Sequence, residues 1–225
     1  MIDTILTHGD GFDAWRMALV ALSLVVSFLY LSIVDRPARP LRTGLKTASI
    51  AALVPLPLLL LGSADSIALI ALALALAFGS LGDYFLALKG SERDFKRGVF
   101  AFLIGHLFYL VVMVPRISAP TSFQIAGMAL LAVMAVGVCW WIGPKLGKYK
   151  MPIWSYMGVI SLMALAALSV PAPLAGVGAL LFVFSDAVIV VNQFRQPVPY
   201  RGPIVWVTYY VGQILLAGSL LTLIQ

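Results

Sequence analysis

Three ionisable residues sit where a chain of this character should not tolerate them. Asp83, His106 and Asp186 lie inside long apolar stretches; residues 67–82 and 151–185, which lead up to the two aspartates, carry no charge. An ionisable side chain in hydrocarbon costs about 2.5–3.5 kcal/mol on insertion scales, so it is kept for a purpose. The nearest basic residues give the depth of each at ~1.5 Å per helical residue. Asp83 is six residues before Lys89, or ~9 Å in. His106 follows Arg97 by nine residues and Asp186 precedes Arg195 by nine, or ~13 Å each. Helices running in both directions thus place these groups at similar depth on one side, and we expect a shared polar cavity there. Two carboxylates and an imidazole suit acid–base chemistry, or proton and ion movement.

Residues at helical spacing extend the set. Tyr109 is three positions after His106 and Phe102 four before, so they share a face. Gln193 is two turns beyond Asp186, with Asn192 close to the same face. Tyr209 and Tyr210 stand four and three positions before Gln213. Gly79 and Gly82 flank Asp83 and permit close helix approach. Pro55 and Pro57 should kink their segment and free backbone carbonyls.

The elements that position these residues follow from composition. Of 225 residues, 62% are hydrophobic and 11% charged, which excludes a water-soluble fold, a disordered chain and a disulfide scaffold. The expected fold is all-α and polytopic: eight transmembrane helices in a single membrane domain over 1–225, each of about 20 residues. The spans are expected at 16–34, 47–61, 66–88, 98–114, 123–142, 152–170, 174–194 and 203–224. Thirteen of the fifteen Lys and Arg residues fall in every second loop, starting with the first. The positive-inside rule then puts the basic loops and the cavity on the cytoplasmic side and both termini outside, periplasmic if the membrane is a bacterial inner membrane. Trp15, Trp140, Trp141, Trp154 and Trp206 fall near span ends, as an interfacial belt requires.

Other chemistries lack their residues. Cys139 is the single cysteine, so no intrachain disulfide or cysteine-based metal site can form. No G-x-S-x-G elbow, P-loop or dinucleotide fingerprint occurs. No metal, cofactor or nucleic-acid partner is expected. The residues alone leave three readings open: an enzyme using carboxylates, a proton-coupled transporter, and a lipid-binding protein without catalysis. The crowding of polar groups on one side favours a one-sided lipid cavity over alternating access.

Four stretches resemble the YhhN family of membrane proteins, which includes lysoplasmalogenases: LGDYFLAL (81–88), FKRGVFAFLIGHLFY (95–109), LLFVFSDAVIVVNQF (180–194) and TYYVGQILLAGS (208–219). Gly82, Asp83, Phe95, Gly98, Phe102, His106, Tyr109, Ser185, Asp186, Tyr209, Tyr210 and Gln213 match the family pattern in order and spacing. Lys46 is followed by Thr47, where the family often shows Lys-Pro. The resemblance implies hydrolysis of the vinyl-ether bond of a lysoplasmalogen, with a lysophospholipid substrate drawn from membrane lipid. Asp83, Asp186 and His106 become the expected catalytic residues. Tyr109, Asn192, Tyr209, Tyr210, Gln213 and Lys46 are the expected substrate contacts, with the headgroup near Arg42, Lys46, Lys89 or Arg201.

Overall fold

Nearly every described segment is helical, and the described residues form no strand, only an isolated bridge between Leu61 and Ala64. The computed structural model describes residues 8–62, 64–88 and 90–225. The helices are α1 (Asp13–Leu31), α2 (Pro40–Ala51), α3 (Pro55–Leu58), α4 (Ser66–Ala87), α5 (Glu92–Met113), α6 (Ser122–Ile142), α7 (Lys150–Ala167), α8 (Pro173–Phe194) and α9 (Arg201–Ile224). Among the described residues seven segments, all but α2 and α3, are long and apolar enough to cross a membrane.

The difference from the expected eight lies at 47–61. Pro55 and Pro57 lack the N–H groups that would bond Ala51 and Leu53, so one continuous helix cannot form. The chain instead takes tight turns there, with Val54 N–H on Ala51 O at 3.1 Å and Leu56 N–H on Leu53 O at 3.1 Å. The segment is therefore two helical pieces, neither long enough to span alone. The helix that holds the expected fourth span begins at Glu92, six residues before 98, and Lys96 and Glu92 pair at 2.7 Å along its exposed first turn.

Local sequence accounts for the helix starts. Pro40, Pro55 and Pro173 occupy first-turn positions, where a missing N–H costs nothing. Asp65 caps α4 by accepting from the N–H groups of Ile67 and Ala68. Thr121 and Gln124 form a reciprocal capping box on α6.

The chain divides into two compact units. The first takes the chain up to Val112 together with Ala217–Gln225; the second is Met113–Leu216. In the first, α2 packs against α1 and α4. Ser23 Oγ donates to Ser49 O at 2.6 Å, tying α1 to α2, and Ser80 Oγ donates to Thr47 O at 3.0 Å, tying α4 to α2. The rings of Phe78 and Phe108 stack at 5.7 Å between α4 and α5. In the second, α8 packs against α6 and α7. Gly178 and Gly212 bring α8 and α9 together so closely that a Cβ on Gly178 would stand 2.6 Å from Leu216 N. Small residues at such crossings let backbones meet where apolar burial gives no driving force.

Candidate functional site

Asp83 occupies the last turns of α4, in the first unit, and is 1% exposed. Its Oδ1 lies 2.8 Å from Lys46 Nζ on α2, and Lys46 is itself only 13% exposed. The ion pair fits the helix geometry. Ser80, one turn before Asp83, bonds the carbonyl of Thr47, which follows Lys46, so the same faces of α4 and α2 meet at both points. Gly82 makes room for α5: a Cβ there would stand 2.6 Å from the Phe102 ring. His106 and Tyr109, each 1% exposed, follow Phe102 at helical spacing on α5. The first unit thus holds a carboxylate, an ammonium, an imidazole and a phenol, all withdrawn from solvent.

Asp186 belongs to the second unit. Tyr156 on α7 donates its O–H to Asp186 Oδ2. Both line a crevice of about 20 Å³ between α6, α7 and α8, walled by Met134, Val138, Ile160 and Val183. That volume suits about one water. Ser185, fully buried, donates to Val205 O at 3.2 Å and is occupied in fixing α8 to α9.

Tyr209, Tyr210 and Gln213 are buried on α9. Gln213 Nε2 donates to the Tyr209 hydroxyl at 3.4 Å, and the Tyr209 ring meets Phe182 edge-on at 5.1 Å. Asn192 Oδ1 accepts the Val198 N–H at 3.1 Å and so holds the turn leading to α9. Arg42 Nε donates to Val34 O at 3.1 Å, and its guanidinium lies over the Tyr30 ring. Arg201 is exposed at the start of α9. Lys89 lies outside the described residues. Trp206 departs from the expected interfacial belt: it is 2% exposed, stacked on Tyr210 and tilted against Tyr209. Trp15, Trp140 and Trp154 are exposed as expected.

Two side chains with buried polar contacts escaped the sequence reading. Tyr156 lies six residues past Lys150, or ~9 Å deep at the helical rise, and that depth was the signal for it. Arg16 was read as a span boundary. It is fully buried, bonds the carboxylates of Asp10 and Asp13, and donates to Leu59 O at 3.1 Å beyond α3. Acidic residues three and six positions upstream were its signal. The Arg16 hydrogen bond is the largest of the effects that hold the Asp10 carboxyl down from 3.8 to about 2. A depressed carboxylate contributes stability above its unfolded value and loses it as pH falls through the folded one. Arg16→Met is therefore expected to lower the thermal midpoint in detergent by several degrees at pH 7, with the gap narrowing between about pH 4 and pH 2.

No group of three or more His, Cys, Asp or Glu residues that could hold a metal occurs among the described residues. The arrangement defines a polytopic α-helical membrane protein that carries buried acid–base groups. More particularly, the chain belongs to the YhhN family, whose pattern matches residues 41–220. It is 30% identical over 151 residues to a lysoplasmalogenase of Mycobacterium tuberculosis (strain CDC 1551 / Oshkosh), covering 64% of this chain and 58% of the relative. It is 31% identical over 156 residues to lysoplasmalogenase TMEM86A of Bos taurus, covering 64% and 62%. The human TMEM86A lysoplasmalogenase is 32% identical over 155 residues, with the same shares. The chain thus spans less than two thirds of the length of these curated relatives. No solved structure matches it.

Proposed function

We propose that this chain hydrolyses the vinyl-ether bond of lysoplasmalogens, releasing a fatty aldehyde and a glycerophospho-alcohol. The observation that carries the reading is the carboxylate of Asp83, 1% exposed and paired with Lys46 at 2.8 Å, in a chain of the YhhN family. Relatives named lysoplasmalogenase supply the substrate class.

The chemistry matches the groups available. Protonation of the vinyl ether at its outer alkene carbon places positive charge on the adjoining carbon and the ether oxygen. Water adds to that carbon and gives up a proton. The resulting hemiacetal collapses to the aldehyde and releases the glycerol hydroxyl. The reaction needs a proton donor, a negative group beside the developing cation and a held water, as in glycoside hydrolysis. In this scheme Asp186 delivers the proton, and Tyr156 holds one of its oxygens and so orients it. Asp83 acts as the ionised partner, since an ammonium at 2.8 Å is the companion of a carboxylate. It stabilises the cation and takes the proton from water, which His106 and Tyr109 orient. Tyr209, Tyr210, Gln213 and Asn192 contact the lipid.

The α2–α3 pair makes the eighth crossing, which the alternation of basic loops requires, and those loops face the cytoplasm of a bacterial cell. The test is purified protein in detergent with a 1-alkenyl lysophosphoethanolamine. Aldehyde release with one glycerophosphoethanolamine per turnover supports the reading. Failure to release aldehyde, with lipid or proton flux in proteoliposomes, replaces it with the transporter.

A further inference from the structure

The helix faces that wall the Asp186 crevice lead to one end of the second unit. On α6, Met134 and Val138 line the crevice, and Trp141 follows three residues on. On α8, Asp186 and Val190 line it, and Phe194 follows four residues on. On α7, which runs the other way, Tyr149 at the N-cap precedes Tyr156 by seven residues, or about two turns. Side-chain contacts join these three positions. The Tyr149 and Phe194 rings lie 5.4 Å apart, and Arg195, next to Phe194, lays its guanidinium over the Trp141 ring at 5.9 Å.

That end is strongly basic. Between 113 and 216 the chain carries six Lys and Arg residues and a single carboxylate, Asp186. Five of the six, Lys145, Lys148, Lys150, Arg195 and Arg201, stand in or beside the two loops at this end, and all five are exposed. Among the described residues, Lys145, Lys150 and Arg195 pair with no carboxylate. A cluster of cations without anions of its own concentrates an anion from outside. Arg195 has the geometry to hold one. Stacking on Trp141 fixes the guanidinium plane and leaves its N–H edges for two phosphate oxygens. Lys46, by contrast, is already taken by Asp83.

The spacing matches a lipid. Lys150 stands six residues, or ~9 Å along the axis, from the phenol that holds Asp186. The Arg195 guanidinium reaches the ring of Trp141, whose backbone is only ~4.5 Å beyond Val138 of the crevice wall. In a lysoplasmalogen seven covalent bonds separate the phosphorus from the alkene carbon that takes the proton, ~8 Å when extended. A phosphate held at Arg195 therefore brings that carbon to the depth of Asp186.

We propose that Arg195, stacked on Trp141 and backed by Lys145 and Lys150, seats the phosphate of a single-chain lysophospholipid and so sets the depth at which the vinyl ether meets Asp186. This rests on the hydrolase reading for the identity of the lipid. The seat recognises the phosphate itself. It selects a phosphate-bearing lipid over a neutral alkylglycerol, whatever amine the phosphate carries.

The probe is a saturated 1-O-alkyl lysophosphoethanolamine, which has no vinyl ether to cleave, and its phosphate-free counterpart is the 1-O-alkylglycerol. Binding of each to the purified full chain in neutral detergent is measured by thermophoresis. Arg195→Gln is expected to weaken the phospholipid about tenfold, the loss of a charge-assisted contact, and to leave the alkylglycerol unchanged. Arg195→Lys keeps the charge but not the planar fork, and should restore only part of the affinity. Should Arg195→Gln fold poorly, Lys145→Gln with Lys150→Gln reads the same contrast between the two lipids. Arg116→Gln, an equal change of charge outside the cluster, should alter neither. Equal weakening of both lipids, or parental phospholipid binding by the variants, would overturn the proposal. So would displacement of the probe by dioleoyl phosphatidylglycerol at equal concentration, which would make the cluster a general anionic-lipid surface. Aldehyde release is read separately. Phosphate-selective binding lost in Arg195→Gln, in a chain that releases no aldehyde, retains the seat and removes the hydrolase; turnover with KM unaltered in Arg195→Gln removes the seat and retains the hydrolase.

Discussion

Asp83→Asn should lower kcat/KM for vinyl-ether cleavage by about 10²–10⁴-fold, the usual contribution of a positioned acid–base group. The same substitution should cost stability. Lys46 is 13% exposed, and its partner at 2.8 Å would become a neutral amide. Breaking a largely buried pair from one side costs about 3–5 kcal/mol, because the remaining charge stays in poor solvent. Loss of activity alone would therefore be ambiguous. The double variant Lys46→Met with Asp83→Leu separates the two causes. Replacing a buried pair by apolar residues of similar volume is often neutral or stabilising. The double variant is expected to regain the thermal midpoint of the parent in detergent while remaining inactive. Recovery of turnover along with stability would reduce Asp83 to a structural role and would remove the ionised partner from the proposed chemistry.

That pair also shows where sequence reading reaches its limit. Depth along a helix is readable from one sequence, because the rise per residue is fixed and basic loops mark the boundary. Asp83, His106 and Asp186 stand out as candidates in that way. In-helix neighbours such as His106 and Tyr109 are readable too, since i and i+3 share a face whatever the tertiary context. The break of 47–61 followed from two prolines and backbone sterics alone. Partners on other helices are different. Lys46 meets Asp83, and Tyr156 meets Asp186, through the rotation and crossing of whole helices, which no local spacing encodes. Trp206 failed for the same reason: its position near a span end suggested an interfacial ring, yet α9 is turned so that the indole is buried against Tyr209 and Tyr210. Arg16 was missed because a basic residue at a span boundary is normally solvated, whereas here Asp10, Asp13 and Leu59 O enclose it.

For Asp186 the informative experiment is a set of double variants. Asp186→Asn is expected to cost about 10²–10⁴-fold in kcat/KM through loss of the proton donor. Tyr156→Phe keeps the ring that walls the crevice and removes only the O–H that Asp186 Oδ2 accepts. A hydrogen bond to a charged or acidic group contributes about 1.5–3 kcal/mol, which corresponds to roughly 10- to 150-fold in rate. If the phenol acts solely by orienting the carboxyl, it has nothing to orient once the acid is gone. Tyr156→Phe with Asp186→Asn should then be no slower than Asp186→Asn alone, since groups acting as a unit are strongly non-additive. Losses that multiply in full would mean that the phenol and the carboxyl contribute independently, and the orienting role of Tyr156 would fail even with the aldehyde-releasing activity intact.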